Sequence, residues 1–175
     1  MNDKKIVPLL EEILPRQFIY DIGLYLQTCA HIELTTCSLI CRLEKQDEGS
    51  DMWWARFHEL RKFSIKDLVR QLKQASRSLD DTLQRDFDDF VGWIDTYKIN
   101  RHIAAHGAFQ SMPGGNMRVH YTHIEKINGQ KVYTKEETVL SRQEILDYVY
   151  DADRILRTLS GLDNAIRTGD VSVRS

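Results

Sequence analysis

Read for apolar spacing, the chain is a succession of helix-period stretches interrupted once by a strand-period stretch. From Arg16 to about Gln46, the residues Phe18, Ile22, Tyr25, Cys29, Ile32, Ile40 and Leu43 recur about three and four apart, which predicts a long amphipathic helix. Its polar residues Asp21, His31, Glu33 and Arg42 face solvent, find partners inside, or turn toward a site. Ahead of it, residues 6–14 form a short apolar and acidic segment closed by Pro15, read as a helical turn or two. Asp47 to Asp51 is polar and holds Gly49, the composition of a loop. Met52-Trp53-Trp54-Ala55-Arg56-Phe57 opens a further helix. Aromatic residues at this spacing are core in the first reading, and a partner or base-stacking surface in the second.

Ser64-Ile65-Lys66-Asp67 has the capping-box form that satisfies free amides at a helix start. Ile65, Leu68, Val69, Leu72 and Leu79 make the buried face that follows. Asp80-Asp81 begins another helix, with acid placed at the positive end of the dipole. Leu83, Phe87, Phe90, Val91, Ile94, Tyr97 and Lys98 carry its pattern toward Gly107, and Gly92 permits close packing or a slight bend. The period then changes. Ser111 to Asn116, with Pro113, Gly114 and Gly115, reads as a connector and lacks the lysine of a phosphate loop. Met117 to Glu125 and Lys131 to Leu140 alternate around Asn128-Gly129, the strongest short hairpin signal. Ser141-Arg142-Gln143-Glu144 is a second capping box, opening a helix with Ile145, Tyr148, Val149, Ala152, Ile155, Leu156 and Leu159. Gly161 is expected to end or interrupt it, and the tail beyond Gly169 to fray. The predicted architecture is mainly α. A bundle of four to five helices has one β-hairpin inserted before the last long helix, in a single domain over 1–175. Its parts are 6–14, a helical region 16–107, a hairpin 117–140 and a C-terminal helix 141–168.

Composition narrows the setting more than the function. The 175 residues suit one domain, and 42% hydrophobic with 29% charged content is that of a soluble globular chain. A net charge of -2 exerts no global pull on nucleic acid, so any such binding requires a local patch. Cys29, Cys37 and Cys41 fall in one predicted helix, odd in number and without a Cys-x-x-Cys pair. Buried, reduced thiols are the reading, with a cytoplasmic location. No signal-like apolar core follows the first lysines and no apolar run reaches membrane-spanning length, so no membrane partner is expected.

Chemistry concentrates in Tyr97-Lys98-Ile99-Asn100-Arg101-His102-Ile103-Ala104-Ala105-His106-Gly107. Imidazoles exchange protons near neutral pH, and guanidinium suits phosphate, so the pairing points to a phosphodiester. On a helix, His102 and His106 lie within roughly 40° of each other, while Arg101 sits about 140° from His106. Either Arg101 bends around the cylinder or it meets a histidine from a second subunit. Gly107 is placed as the C-cap. Arg101-His102-Ile103-Ala104-Ala105-His106 resembles the Arg-x(4 to 6)-His motif of the HEPN superfamily, all-helical domains that include metal-independent endoribonucleases. A polar residue commonly follows the arginine in that family, here His102, and the trailing Ala-His-Gly is also similar. Some relatives carry a β insertion after the motif, which the hairpin matches.

The resemblance implies a homodimer with two motifs facing one cleft. It also implies an activity with no cofactor and no metal, because RNA supplies its own 2′-hydroxyl nucleophile. Arg101 would hold the scissile phosphate, His106 would move the proton, and His102 would orient the pair or act as a second acid-base group. Lys66, Arg70, Lys73 and Arg77 form one basic stripe, about 110° from the apolar centre of their helix, and are the candidate RNA-binding residues. The plain reading of that stripe is a solvated face beside many aspartates. A second hypothesis is a non-catalytic RNA-binding or protein-interaction module. A third is a metal held by His102 and His106 with His120 or His123, which lie on opposite faces of their strand. A fourth is purely structural: Arg101 pairs with an acid, and the histidines finish a helix C-terminus. Some members are toxins restrained by a partner that modifies a tyrosine just after the motif histidine. Here Gly107, Ala108 and Phe109 stand at those positions, so that form of control departs from the pattern. An antitoxin or other regulatory partner stays an expectation of the resemblance.

Overall fold

The computed structural model describes residues 9–79 and 81–169 and, within them, all side chains except those at 11, 81–86, 88–89, 95–96, 98–99 and 125–126. Residues 6–8, the helix start expected at Asp80, the side chains of Leu83 and Lys98, and the tail beyond 169 lie outside these described residues. The chain is mainly helical. Its elements run α1 (Leu10–Ile13), α2 (Arg16–Leu43), α3 (Asp51–Leu60), α4 (Ile65–Ala75), α5 (Asp81–His106), β1 (Ala108–Ser111), β2 (Met117–Ile127), β3 (Gln130–Leu140) and α6 (Arg142–Thr168). Short 3-10 turns occupy Ser76–Ser78 and Pro113–Gly115. The chain divides into two compact units, 1–26 with 102–149 and 27–101 with 150–175, the divisions falling inside α2, α5 and α6.

In the first unit the three strands form one antiparallel sheet in the order β1-β2-β3. The hairpin has the expected turn: Asn128 and Gly129 take φ of 51° and 82°, and Ile127 pairs with Gln130. Two positive φ values in sequence are what a tight two-residue hairpin turn demands. The connector expected at Ser111–Asn116 is corrected at its start, since Ala108–Ser111 pairs with Met117–His120 as a third strand. The core of this unit is Leu14, Phe18, Ile103, Met117, Val119, Leu140 and Ile145. α6 opens on the predicted box: Glu144 N–H donates to Ser141 Oγ at 3.2 Å, and Ser141 N–H donates to Glu144 Oε2 at 2.8 Å. The expectation that Gly161 ends this helix is corrected, because the helix runs through it to Thr168.

Gly107 marks the end of α5 for a reason other than the one its sequence position suggests. Its N–H donates to the Ile103 carbonyl at 2.8 Å. A Cβ there would stand 2.5 Å from the Ile103 carbonyl oxygen and 2.6 Å from Val119 Cγ1. Space is what the glycine provides, letting the helix end lie directly on β2. Gly107→Ala is therefore expected to cost about 1–3 kcal/mol by overpacking. Gly161 is exposed in mid-helix with nothing within 4 Å of an added Cβ, so Gly161→Ala should instead add about 0.5–1 kcal/mol. Urea denaturation of both variants checks the opposite signs.

In the second unit, Cys29, Ile32, Ile40 and Leu43 of the predicted α2 stripe are buried, and so is Leu39, which the spacing does not single out. Trp53 and Leu60 of α3, Leu68, Val69 and Leu72 of α4, Leu79 after it, Phe87, Phe90, Val91, Ile94 and Tyr97 of α5, and Ala152, Ile155 and Leu159 of α6 are buried as well. Ser64 caps α4 by accepting from the Asp67 amide. The core reading of the aromatic run holds for Trp53, 4% exposed, and fails for Trp54, 50% exposed. Gly92 is exposed with nothing within 4 Å of an added Cβ, so close packing is not its purpose. Cys29, Cys37 and Cys41 are buried and none of them is in a disulfide. Burial pushes the Cys37 thiol up to about 12 and Cys41 to about 11, which keeps both protonated and unreactive at neutral pH.

Candidate active site

The site is built on the last turn of α5, where it joins the first unit. Ile103 is buried in that unit's core and fixes the rotation of the turn. One residue earlier and three later, His102 is half-buried and His106 exposed. Their ring centroids are 5.1 Å apart with 51° between planes, the outcome that four-residue helical spacing dictates. His102 Nε2 lies 3.0 Å from the Thr122 carbonyl oxygen. A carbonyl only accepts, so Nε2 carries the hydrogen and the neutral ring keeps its lone pair on Nδ1. The strand thereby selects the tautomer.

Tyr121 meets His102 edge-on, ring centroids 6.4 Å apart. Its hydroxyl donates to Glu136 Oε2 at 2.6 Å across the β2-β3 pair. That hydrogen bond, followed by burial, raises the phenol above its ordinary value, so Tyr121 stays a neutral donor and a fixed wall beside the imidazole. By strand alternation Tyr121 and His123 share a face with the buried Met117 and Val119, and His120 lies opposite. His120 Nδ1 is 3.3 Å from Glu137 Oε2, and Arg118 Nε is 3.2 Å from Glu137 Oε1. Among the described residues no three His, Cys, Asp or Glu side chains converge to hold a metal ion.

Arg101 belongs to the second unit. Its Nε lies 2.6 Å from Glu33 Oε1, an ion pair whose angle falls outside hydrogen-bond geometry. The two side chains are 34% and 29% exposed. Such a solvent-screened pair is worth on the order of 0–1 kcal/mol. No family model, curated protein or solved structure matches the chain.

The basic stripe is also in the second unit. Lys66, Arg70 and Lys73 are exposed on α4, and Arg77 is exposed in the 3-10 turn that follows, off the regular helix. Arg70 pairs with Asp67 at 3.1 Å, both well exposed. Among the described residues these four exposed cations have one ion-pair partner, Asp67. Sequence reading missed Tyr121, Glu136 and the Thr122 carbonyl. The first two were accessible in principle, since counting back from the Asn128-Gly129 turn pairs Tyr121 with Glu136. Among the described residues no helix is long and apolar enough to cross a membrane.

Proposed function

We propose that this chain is an HEPN-type, metal-independent endoribonuclease whose proton chemistry is done by His102 and His106. The observation that carries the reading is the histidine pair itself: two imidazoles 5.1 Å apart at a helix end, one of them held as a single tautomer by the Thr122 carbonyl. In the reaction, His102 Nδ1 takes the proton from the RNA 2′-hydroxyl. The freed oxygen attacks the adjacent phosphorus, and the bond to the 5′-oxygen of the next nucleotide breaks. His106, as imidazolium, returns a proton to that leaving oxygen. Products are a 2′,3′-cyclic phosphate and a 5′-hydroxyl end. Arg101 holds the phosphate in exchange for its weak pair with Glu33, since a phosphodiester offers its planar fork two acceptors. Lys66, Arg70, Lys73 and Arg77 track the strand. In this reading the enzyme works in the cytoplasm as a homodimer, with an antitoxin or regulatory partner as its control.

A second reading, a non-catalytic RNA-binding or protein-interaction HEPN module, is favoured by one specific observation: Arg101 is already paired to Glu33. Incubation of the purified protein with structured and unstructured RNA in EDTA separates the two. The expected result is cleavage that persists in chelator and leaves cyclic phosphate ends. Binding without cutting selects the module, and chelator-sensitive cutting overturns the metal-free mechanism.

A further inference from the structure

Away from the histidines, the first unit contains a cavity of about 190 Å³ lined by Pro15, Gln17, Phe18, Asp21, Gly115, Met117, Arg142 and Ile145. Its floor is apolar: Phe18, Met117 and Ile145 are 7%, 2% and 3% exposed. Into this apolar setting the chain puts two opposite charges. Asp21 is 6% exposed, and among the described residues its carboxylate has one hydrogen bond, from the neutral Gln17 amide to Oδ1 at 2.8 Å. Arg142, at the first turn of α6, is exposed, and neither it nor Asp21 has an ion pair among the described residues. A carboxylate taken from water is costly unless a cation meets it, and the cavity's own cation sits on another wall element.

We propose that this cavity binds a free α-amino acid with an apolar side chain. Its ammonium meets Asp21, its carboxylate meets the guanidinium of Arg142, and its side chain lies against Phe18, Met117 and Ile145. A purely apolar ligand leaves Asp21 unpaired. A simple amine is repelled by Arg142, and a simple acid by Asp21. A zwitterion satisfies both. Size agrees, because a cavity of roughly 150 Å³ accepts a benzene-sized body, and the remaining space suits a two-carbon charged head. The inference stands apart from the ribonuclease reading and uses none of its residues.

The test is titration of the full chain with L-leucine and L-phenylalanine, read by calorimetry and thermal shift. L-Leucinamide, which lacks the carboxylate, and 4-methylpentanoate, which lacks the amine, are the comparison probes. The expected result is saturable binding of at least one amino acid, with each analogue weaker by about tenfold or more, the effect of losing one charge-assisted contact. Asp21→Asn, which preserves size, should abolish discrimination between leucine and 4-methylpentanoate. Arg142→Gln, at an exposed position, should abolish discrimination between leucine and leucinamide. Should the buried Asp21 variant fail to fold, the analogue series on the natural sequence and Arg142→Gln still decide. No saturable response to either amino acid, or analogues that bind as tightly as the amino acids, overturns the proposal.

Discussion

Replacing His106 with alanine is expected to lower the rate of RNA cleavage by about 10²- to 10⁴-fold, the range for losing a positioned acid or base. His106 is exposed and outside the buried core, so its loss should leave the thermal midpoint unchanged. His102 calls for a different substitution. Its Nε2–H anchors the ring to the Thr122 carbonyl, and glutamine can supply an N–H in its place while contributing no titrating lone pair. His102→Gln should therefore also lose activity by about 10²-fold or more with little change in stability. Because the proposed mechanism has the two imidazoles act as base and acid in one concerted step, the double variant should be no slower than the worse single one by more than a small factor. Arg101→Lys keeps a charge and loses the fork, and should fall between wild type and Arg101→Ala. The measurement is kcat/KM on a labelled RNA with midpoints recorded in parallel. Independent, multiplicative losses at His102 and His106 would sink the paired mechanism, and unchanged rates would remove both residues from it.

How much of this is legible in the sequence depends on whether the controlling force is local. The long helix α2 is readable because its buried residues repeat along one stripe, and the hairpin because Asn128-Gly129 admits few other conformations. Rotation along α5 likewise foretells that the two imidazoles meet and Arg101 points elsewhere. Three features are hidden because distant parts of the chain decide them. β1 is four mostly exposed residues with no alternation, and it exists only because β2 offers an edge. Helix α6 crosses Gly161 at a propensity cost of about 1 kcal/mol, held beyond it by the ion pair of Asp163 with Arg42 and before it by the buried Ile155 and Leu159. The partner of Arg101, Glu33, lies on another helix, where spacing within α5 cannot reach it. The role of Gly107 is hidden for the same reason, since Val119 fills the space where a side chain would go.

Arg42→Met is expected to be the most destabilising charge deletion in the second unit, by about 2–3 kcal/mol at neutral pH. Arg42 donates through Nε to Asp163 Oδ1 at 2.9 Å and through both terminal nitrogens to Glu48 at 2.6 and 2.8 Å. Its guanidinium carbon stands 5.2 Å from the ring centroid of the buried Trp53. Arg42 and Asp163 side chains are only 12% and 18% exposed, so removing the cation strands a largely desolvated carboxylate. That places the loss just below the roughly 3–5 kcal/mol for breaking fully buried pairs. The pH dependence follows from the two acids. Burial already pushes the Asp163 carboxyl up, with Arg42 pulling it back down. Without Arg42 it rises further, and a carboxyl that holds its proton more tightly when folded favours the folded state as pH falls through its titration. Glu48 is held below its ordinary value, first by its hydrogen bond from Arg42, so its stabilisation exists above the unfolded value and disappears on acidification. The Asp163 effect narrows the gap between wild type and variant as pH falls from its raised value to the ordinary carboxyl range near about 4, and the Glu48 effect narrows it further below that range. The pair between Arg157 and Asp153 is equally short at 2.6 Å, yet its side chains are 78% and 47% exposed, and Arg157→Met should show no resolvable change. Urea denaturation at pH 7 and at acid pH, followed by tryptophan fluorescence, measures all of this. Equal losses for the two arginines, or a gap that widens on acidification, would show that burial at Asp163 is not what makes Arg42 matter.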